Sequence, residues 1–226
     1  GGTVLFESFA ITRQCTRHVQ HFTQEPVAAD WPEPIADRQQ LLEPGEGALS
    51  TWRYGPQGNV LERTDARHNS QAFAFTVDGL LRDSALKLAG KLTWQTLVSE
   101  IEYSADGRII REVAGNHVET KLSYGAADGL LIERRAFSNH SGLLQHLFYD
   151  YDRMGNVLSI EDKALEVRYF NNQRIEPISC FNYDSLYQLI GASGWEAGSA
   201  NQGPNSTGRM DPAALSNYQQ RFSYDE

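Results

Sequence analysis

Residues 149–158 read Tyr149-Asp150-Tyr151-Asp152-Arg153-Met154-Gly155-Asn156-Val157-Leu158, and this stretch decides the fold. Two aromatic residues two apart share one face of a β-strand, because successive strand side chains point to opposite faces. Four residues after the second aromatic stands a glycine, the residue that takes a positive φ without steric cost. An apolar pair follows. Aromatic strand end, tight turn and apolar return strand together make a β-hairpin.

Working outward, the unit recurs as apolar, any residue, aromatic, a turn with glycine, and an apolar pair. Trp52-Arg53-Tyr54 leads through Gly58 to Val60-Leu61, and Phe73-Ala74-Phe75 through Gly79 to Leu80-Leu81. Ile101-Glu102-Tyr103 leads through Gly107 to Ile109-Ile110, and Leu122-Ser123-Tyr124, with one extra residue, through Gly129 to Leu130-Leu131. Gly155 serves Tyr151. Phe181-Asn182-Tyr183 leads to Leu189-Ile190, with Tyr187 where glycine is expected, and Phe222-Ser223-Tyr224 opens a seventh unit. The anchors Tyr54, Phe75, Tyr103, Tyr124, Tyr151, Tyr183 and Tyr224 are separated by 21, 28, 21, 27, 32 and 41 residues, a base period near 21 with insertions. Gly2-Thr3-Val4-Leu5 matches the return half of a unit, so the chain reads as cut inside a repeat at both ends.

Alternation supports strands elsewhere. Val118, Thr120, Leu122 and Tyr124 share one face, with Glu119, Lys121 and Ser123 on the other, and Leu165, Val167 and Tyr169 alternate with Glu166 and Arg168. Asp78-Gly79, Asp106-Gly107 and Asp128-Gly129 are strong turn signals. A lone hairpin is marginal in water, so neighbouring units must stack. The expectation is an all-β chain of antiparallel strand–turn–strand repeats in a twisted sheet. A helical solenoid is excluded by short, aromatic and β-branched segments of period two.

At this point the residues resemble a known family. Tyr151-Asp152-Arg153-Met154-Gly155-Asn156-Val157-Leu158 is similar to a YD repeat, also called an RHS repeat. Asn182-Tyr183-Asp184-Ser185-Leu186-Tyr187-Gln188-Leu189-Ile190 resembles a segment typical of the C component (TccC) of bacterial Tc insecticidal toxins. The resemblance covers Trp52 to Trp195 well, the first fifty residues loosely, and the last thirty only at Arg221–Tyr224. It implies a spiralling sheet, or β-cocoon, that closes with a B component into a hollow shell. A C-terminal effector is held inside until an A component translocates it. The implied partners are the remaining RHS repeats and core of the same full-length chain, the B component, through it the A component, and the enclosed effector. The implied location is a secreted or cell-surface toxin complex. No segment matches the family's autoproteolytic aspartates, so no catalytic residue carries over.

The expected organisation is a partial repeat with a Pro-rich insertion over 1–50, the repeat sheet over 51–190, and a flexible loop with a truncated repeat over 191–226. Gln24–Gly47 carries Pro26, Pro32, Pro34 and Pro44, and proline interrupts strand ladders. A short helix over Ala36–Leu42 fits inside it. The insertion reads first as a solvent loop; the alternative is a flap that covers a sheet edge or contacts a partner, with Trp31 as its anchor. Gly191–Gln220, rich in Gly, Ser and Asn, reads as a long loop.

Charge sets limits. The 226 residues carry 20 Lys+Arg against 29 Asp+Glu, a net −9. That argues against phosphate-backbone binding and against anionic lipid. No window reaches a membrane span, and no signal peptide is visible. Cys15 and Cys180 allow one bridge or two free thiols.

Candidate chemistry is sparse. His18 and His21 with Cys15 lack the further ligands of a metal site. Asp150 and Asp152 read as turn or cross-strand acceptors rather than an acid–base pair. Gly191-Ala192-Ser193-Gly194-Trp195 lacks the final glycine of a nucleophile elbow. No enzyme, cofactor or metal is expected. The residues expected to carry the role are the anchors and turn glycines of a structural shell. The competing reading is a carbohydrate- or receptor-binding β module using Trp31, Trp94 or Trp195. Open edge strands further predict edge-to-edge self-association.

Overall fold

The computed structural model describes residues 2–25, 31–170, 172–197 and 215–224. All but one of its elements are strands, and the strands follow chain order in a 15-stranded sheet beside a separate two-stranded ribbon. The chain divides into two compact units, residues 1–107 with 113–116, and 108–112 with 117–226.

The first unit holds β1 (Gly2–Phe9), β2 (Cys15–Phe22), α1 (Ile35–Gln40), β3 (Ala48–Tyr54), β4 (Val60–Thr64), β5 (Ser70–Phe75), β6 (Leu81–Lys87) and β7 (Gln95–Tyr103). Each strand from β1 to β7 pairs antiparallel with the next. The register slips beside the anchors, between Arg53 and Tyr54 and between Ala74 and Phe75. Such a bulge beside a left-handed turn residue lets a three-residue connection match the strand twist.

The first hairpin corrects one expectation. Gly2–Leu5 is not a return strand: β1 is an outgoing strand ending in Phe9, and β2 returns from it. Arg13 takes the left-handed position at φ 66°, where later units use glycine. Its N–H donates to the Ala10 carbonyl at 2.9 Å, and Ala10 N–H to the Gln14 carbonyl at 2.8 Å. These are the bonds that Gly58 and Gly55 make in the β3–β4 turn. The unit was hidden because it has neither the glycine nor an apolar residue two before its aromatic.

The Pro-rich insertion folds back on β2 instead of trailing in solvent. Gln24 N–H donates to the Leu41 carbonyl, Glu43 N–H to the Phe22 carbonyl, and Thr23 bridges Leu42. The helix is the six-residue α1, begun after Pro34 and closed at Leu41. It and Trp31 line a cavity of about 900 Å3 with β1 residues Gly2–Leu5.

The second unit holds β9 (Val118–Tyr124), β10 (Leu131–Ser138), β11 (Gly142–Tyr151), β12 (Val157–Asp162), β15 (Ile178–Tyr183), β16 (Leu189–Ala197) and β17 (Leu215–Arg221), again paired in order. Strand β8 (Ile109–Ala114) has residues in both units. The ribbon is β13 (Arg168–Phe170) with β14 (Gln173–Ile175).

Two further expectations change here. Leu165, Val167 and Tyr169 do not extend a sheet strand. β12 ends at Asp162, whose carboxylate accepts the Ala164 N–H and turns the chain into the ribbon. Tyr169 is 74% exposed, while Ile175 of the same ribbon is 2% exposed. Nor is 191–220 one long loop: most of β16 and β17 falls in it, and 198–214 fall outside the described residues. Gly194 permits this pairing, since a Cβ there would sit 2.9 Å from Tyr218 Cε1 on the opposing strand.

Buried apolar side chains are few. Among the described residues they are Val19, Ile101, Ala136, Ile175 and Ala192. The anchor rings are half-buried, apart from Tyr224 at the last strand, which is 50% exposed.

Candidate functional site: the tyrosine ladder and the anchor turns

Four of the anchor turns are built the same way. The N–H of the first residue donates to the carbonyl of the fifth, in Gly55/Asn59, Thr76/Leu80, Asp152/Asn156 and Asp184/Gln188, at 2.7–3.0 Å. The fourth residue carries the positive φ: Gly58 (84°), Gly79 (83°), Gly107 (81°) and Gly155 (89°). Gly129 (70°) does so in the turn with one extra residue. Tyr187 takes the same conformation at φ 62°, where an L side chain is strained.

The aspartate after the anchor closes the turn. Asp152 Oδ1 accepts the N–H groups of Met154 and Asn156, and Asp184 Oδ1 those of Leu186 and Gln188. The Asn156 side chain also donates to Asp152 Oδ2 at 2.7 Å. That side-chain bond, with the backbone donors, holds the Asp152 carboxyl below its ordinary 3.8. Asp65, in the β4–β5 turn, is lowered in the same way by Asn69, first through its side chain.

The anchors themselves do something that periodicity did not reveal. Their hydroxyls donate to backbone carbonyls of the preceding repeat. Tyr54 donates to Cys15 (3.0 Å), Tyr103 to Leu81 (2.7 Å), Tyr124 to Ile109 (2.9 Å), Tyr151 to Leu131 (2.8 Å), Tyr183 to Val157 (3.0 Å) and Tyr224 to Leu189 (2.8 Å). Every acceptor is the first residue of a return strand. Phe75 alone among the seven anchors has no hydroxyl. The choice of Tyr over Phe was the available signal, since only Tyr offers a donor at the tip of a packed ring. Burial, and then the charges of Tyr149 and Asp128, push the Tyr151 hydroxyl above its ordinary 10.0. Burial, then Cys15, raises Tyr54.

Register assigns two unlike faces in the second unit. The anchor face carries Leu122 opposite Arg134, Arg134 opposite Leu147, Tyr149 opposite Ile160, and Phe181 opposite Ala192. The opposite face carries Ser123, Glu133, Phe148 and Glu161 in one row. Charged pairs cluster there, Glu119 with Arg111 and Lys121 and Glu161 with Lys163 at 3.8 Å, and Glu133 shares a hydrogen bond of 2.6 Å with His146. The Arg111 hydrogen bond, aided by Lys121, lowers the Glu119 carboxyl. Exposed pairs of this kind add little stability; they make that face compatible with water.

The other candidates are dispersed. His18 lies between the rings of Phe6 and Trp52, 6.0 and 4.6 Å away, and Cys15 and Cys180 are both free thiols. Ser193 lies mid-strand opposite Cys180 and Gln219, not at a strand-to-helix elbow. Asp150 sits within β11 while Asp152 closes the turn, so they form no joint site. Trp31 lines the cavity beside β1, Trp94 has Lys87 Nζ 5.1 Å from its ring, and Trp195 lies in β16.

A sheet of such hairpins, tied repeat to repeat by tyrosine hydroxyls and turned by Tyr-Asp corners, is a YD/RHS-repeat sheet. Comparison with known proteins places it more narrowly. Toxin subunit YenC2 of Yersinia entomophaga is 36% identical over 210 residues, 88% of this chain and 22% of that protein. Toxin subunit YenC1 of the same organism is 36% identical over 181 residues, 76% of this chain and 18% of that protein. The crystal structure of TcdB2-TccC3-Cdc42 matches with a TM-score of 0.86 and 32% identity, over 99% of this chain and 11% of that one. A Photorhabdus luminescens Tc holotoxin pore matches with a TM-score of 0.86 over 99% of this chain and 10% of that one. No family model matches the chain. The chain belongs to the YD/RHS-repeat shell of Tc-toxin C components. It spans about a fifth of the length of these relatives, 22% and 18%.

Proposed function

We propose that this stretch is a length of wall in a hollow shell that encloses and shields a cytotoxic effector. The observation that carries the reading is the hydroxyl ladder. It ties every hairpin with a tyrosine anchor to the preceding return strand without needing a second layer of structure. A sheet held within its own plane suits a wall better than a packed domain does. The work is architectural, done by anchors and turns rather than by a reacting group. The partners are the remaining repeats of the full-length chain, a B component that closes the shell and, through it, an A component; the complex acts outside the producing cell. Solved relatives that join TcdB2 and TccC3, and a Tc holotoxin pore, support these assignments.

The test is protease protection of the effector in the assembled full-length protein. Protection should be complete with the native sheet and fail when Tyr151→Ala and Tyr183→Ala are combined. An effector digested equally fast in both would end the reading.

A further inference from the structure

Two parts of the first unit lack the packing that would account for them. The first is β1. Over residues 2–6 it pairs in unbroken register with β2 and carries no charge and no proline. All eight of its residues are exposed, Val4, Leu5, Phe6 and Phe9 among them. Sheet edges that stand in water are blunted by charges, prolines or bulges, because a flat apolar edge recruits other strands. This edge has its one charge at Glu7 and its register shifts only beside Ser8. The second part is α1. Six residues are too few for a helix to hold itself in water, and α1 buries none of them. Ile35 is 72% exposed, and Trp31 before it is exposed as well. The insertion is nonetheless braced. The Arg38 guanidinium donates to the carbonyls of Pro32 and Glu33, and the Gln24 amide to those of Gln40 and Leu42.

The space between these parts is the cavity of about 900 Å3. Gly2, Thr3, Val4 and Leu5 all line it, and Trp31 and Ile35 line it from the insertion. Successive strand side chains point to opposite faces, so a cavity that touches four residues in a row meets the strand along its edge. An open strand edge facing apolar side chains fits an extended chain, which pairs through its backbone and packs through its side chains.

We propose that this groove seats a further strand of the same full-length chain, with the Pro-rich insertion as a clasp over it. β1 pairs with the backbone of that strand, and Trp31 and Ile35 close on its side chains. The sheet keeps chain order from β1 onward, so a strand that extends it on the open side of β1 is one that precedes Gly2. The relatives have room for it, since this chain spans 22% of YenC2. The joint also needs a fastening. β1 ends in Phe9, where other hairpins have a tyrosine, and phenylalanine has no hydroxyl to donate to the strand before it. The clasp takes the place of that missing rung. The inference rests on one part of the shell reading, that further repeats of the same chain flank this stretch, and adds the device that joins them.

The test uses the full-length protein assembled with its B component. A photo-crosslinking residue at position 35 should join the segment that precedes Gly2, mapped by mass spectrometry. One at the exposed Val77 of the β5–β6 turn should not. Effector protection is measured on the same samples. Crosslinks from position 35 to the B component or to a second copy, or none at all, refute the clasp, and persisting protection then leaves the shell reading standing. The expected crosslink with a freely digested effector sinks the enclosure reading and leaves the clasp. Amide hydrogen exchange gives a second measurement that alters no buried residue. Trp31→Ala should speed exchange at residues 3–6 and in the crosslinked segment about tenfold, since the added strand loses the ring that covers it. Trp94→Ala should change neither. Equal exchange in Trp31→Ala and the native protein would also refute the clasp.

Discussion

The hairpins β11–β12 and β1–β2 share a backbone and almost no turn residues. In the first, Asp152 N–H meets the Asn156 carbonyl at 2.9 Å and Gly155 N–H the Asp152 carbonyl at 3.1 Å. In the second, Ala10 and Gln14 make the first bond at 2.8 Å, and Arg13 and Ala10 the second at 2.9 Å. Tyr151, Asp152 and Gly155 correspond to Phe9, Ala10 and Arg13. The repeat is therefore defined by a pair of backbone bonds and one left-handed residue. Tyrosine, aspartate and glycine lower its cost and link it to its neighbours, but no one of them is required. Phe75 lacks the hydroxyl, Tyr187 replaces the glycine, and β1–β2 lacks all three.

The largest expected difference between the two hairpins comes from deleting the anchor ring. Tyr151→Ala should cost about 3 kcal/mol, since a half-buried aromatic and its hydrogen bond are lost together. Phe9 is 60% exposed, and Phe9→Ala should cost less than about 1 kcal/mol. Urea unfolding midpoints measure both, and equal shifts would break the contrast between a linked and an unlinked hairpin.

The left-handed position gives a smaller pair of effects with opposite signs. A Cβ on Gly155 would lie 3.8 Å from Leu130, in ordinary contact, so Gly155→Ala meets only the backbone cost of φ 89°. That cost is about 1 kcal/mol of destabilisation. Arg13→Gly and Tyr187→Gly should stabilise by up to about 1 kcal/mol, by relieving the same strain. Thermal melts of the three variants decide it, and destabilisation by Arg13→Gly would show that its side chain matters more than its φ.

The hydroxyl is worth less than the ring. Tyr151→Phe should cost about 1 kcal/mol, the net value of a hydrogen bond to a carbonyl. Phe75→Tyr is the complementary experiment. The six tyrosine anchors all reach the first residue of a return strand, so a hydroxyl at position 75 should reach the Val60 carbonyl and stabilise by at most about 1 kcal/mol. Loss of stability in Phe75→Tyr would mean that the ladder geometry does not extend to that hairpin.

What the sequence made legible follows from these devices. Glycine, Asp-Gly pairs and period-two aromatics announce the hairpins from Tyr54 to Tyr183 because each is a local signal with a local cause. The β1–β2 hairpin was unreadable because Arg13 does the work of a glycine while looking like any exposed polar residue. Strands β16 and β17 read as loop because Gly191 and Gly194 mark flexibility in a sequence. In the structure, Gly194 makes room for Tyr218, a contact spanning 24 residues that no local pattern encodes. The ladder was half legible. Tyrosine at six of seven anchors signals a donor, but its acceptor in the previous repeat depends on strand order.

Acid should separate the two kinds of hairpin without any change to rings or glycines. The Asp152 carboxyl is lowered in the folded state, chiefly by the Asn156 side chain and then by backbone donors. A group whose folded-state value lies below its unfolded one contributes stability that is complete above the unfolded value. That contribution is lost as pH falls through the folded value. The β11–β12 turn should therefore loosen as pH drops below about 4, while the β1–β2 turn, with Ala10 in place of the aspartate, should not respond. Amide hydrogen exchange resolves the two. Protection at Met154 and Asn156 should fall in acid, and protection at Arg13 should stay constant. Asp152→Asn keeps a side-chain carbonyl able to accept the same two N–H groups but has no proton to bind. It should flatten the acid response at Met154 and Asn156 while leaving their neutral-pH protection nearly intact. An unchanged acid response in that variant would place the sensitivity elsewhere and leave the Tyr-Asp corner as a shape rather than a charge effect.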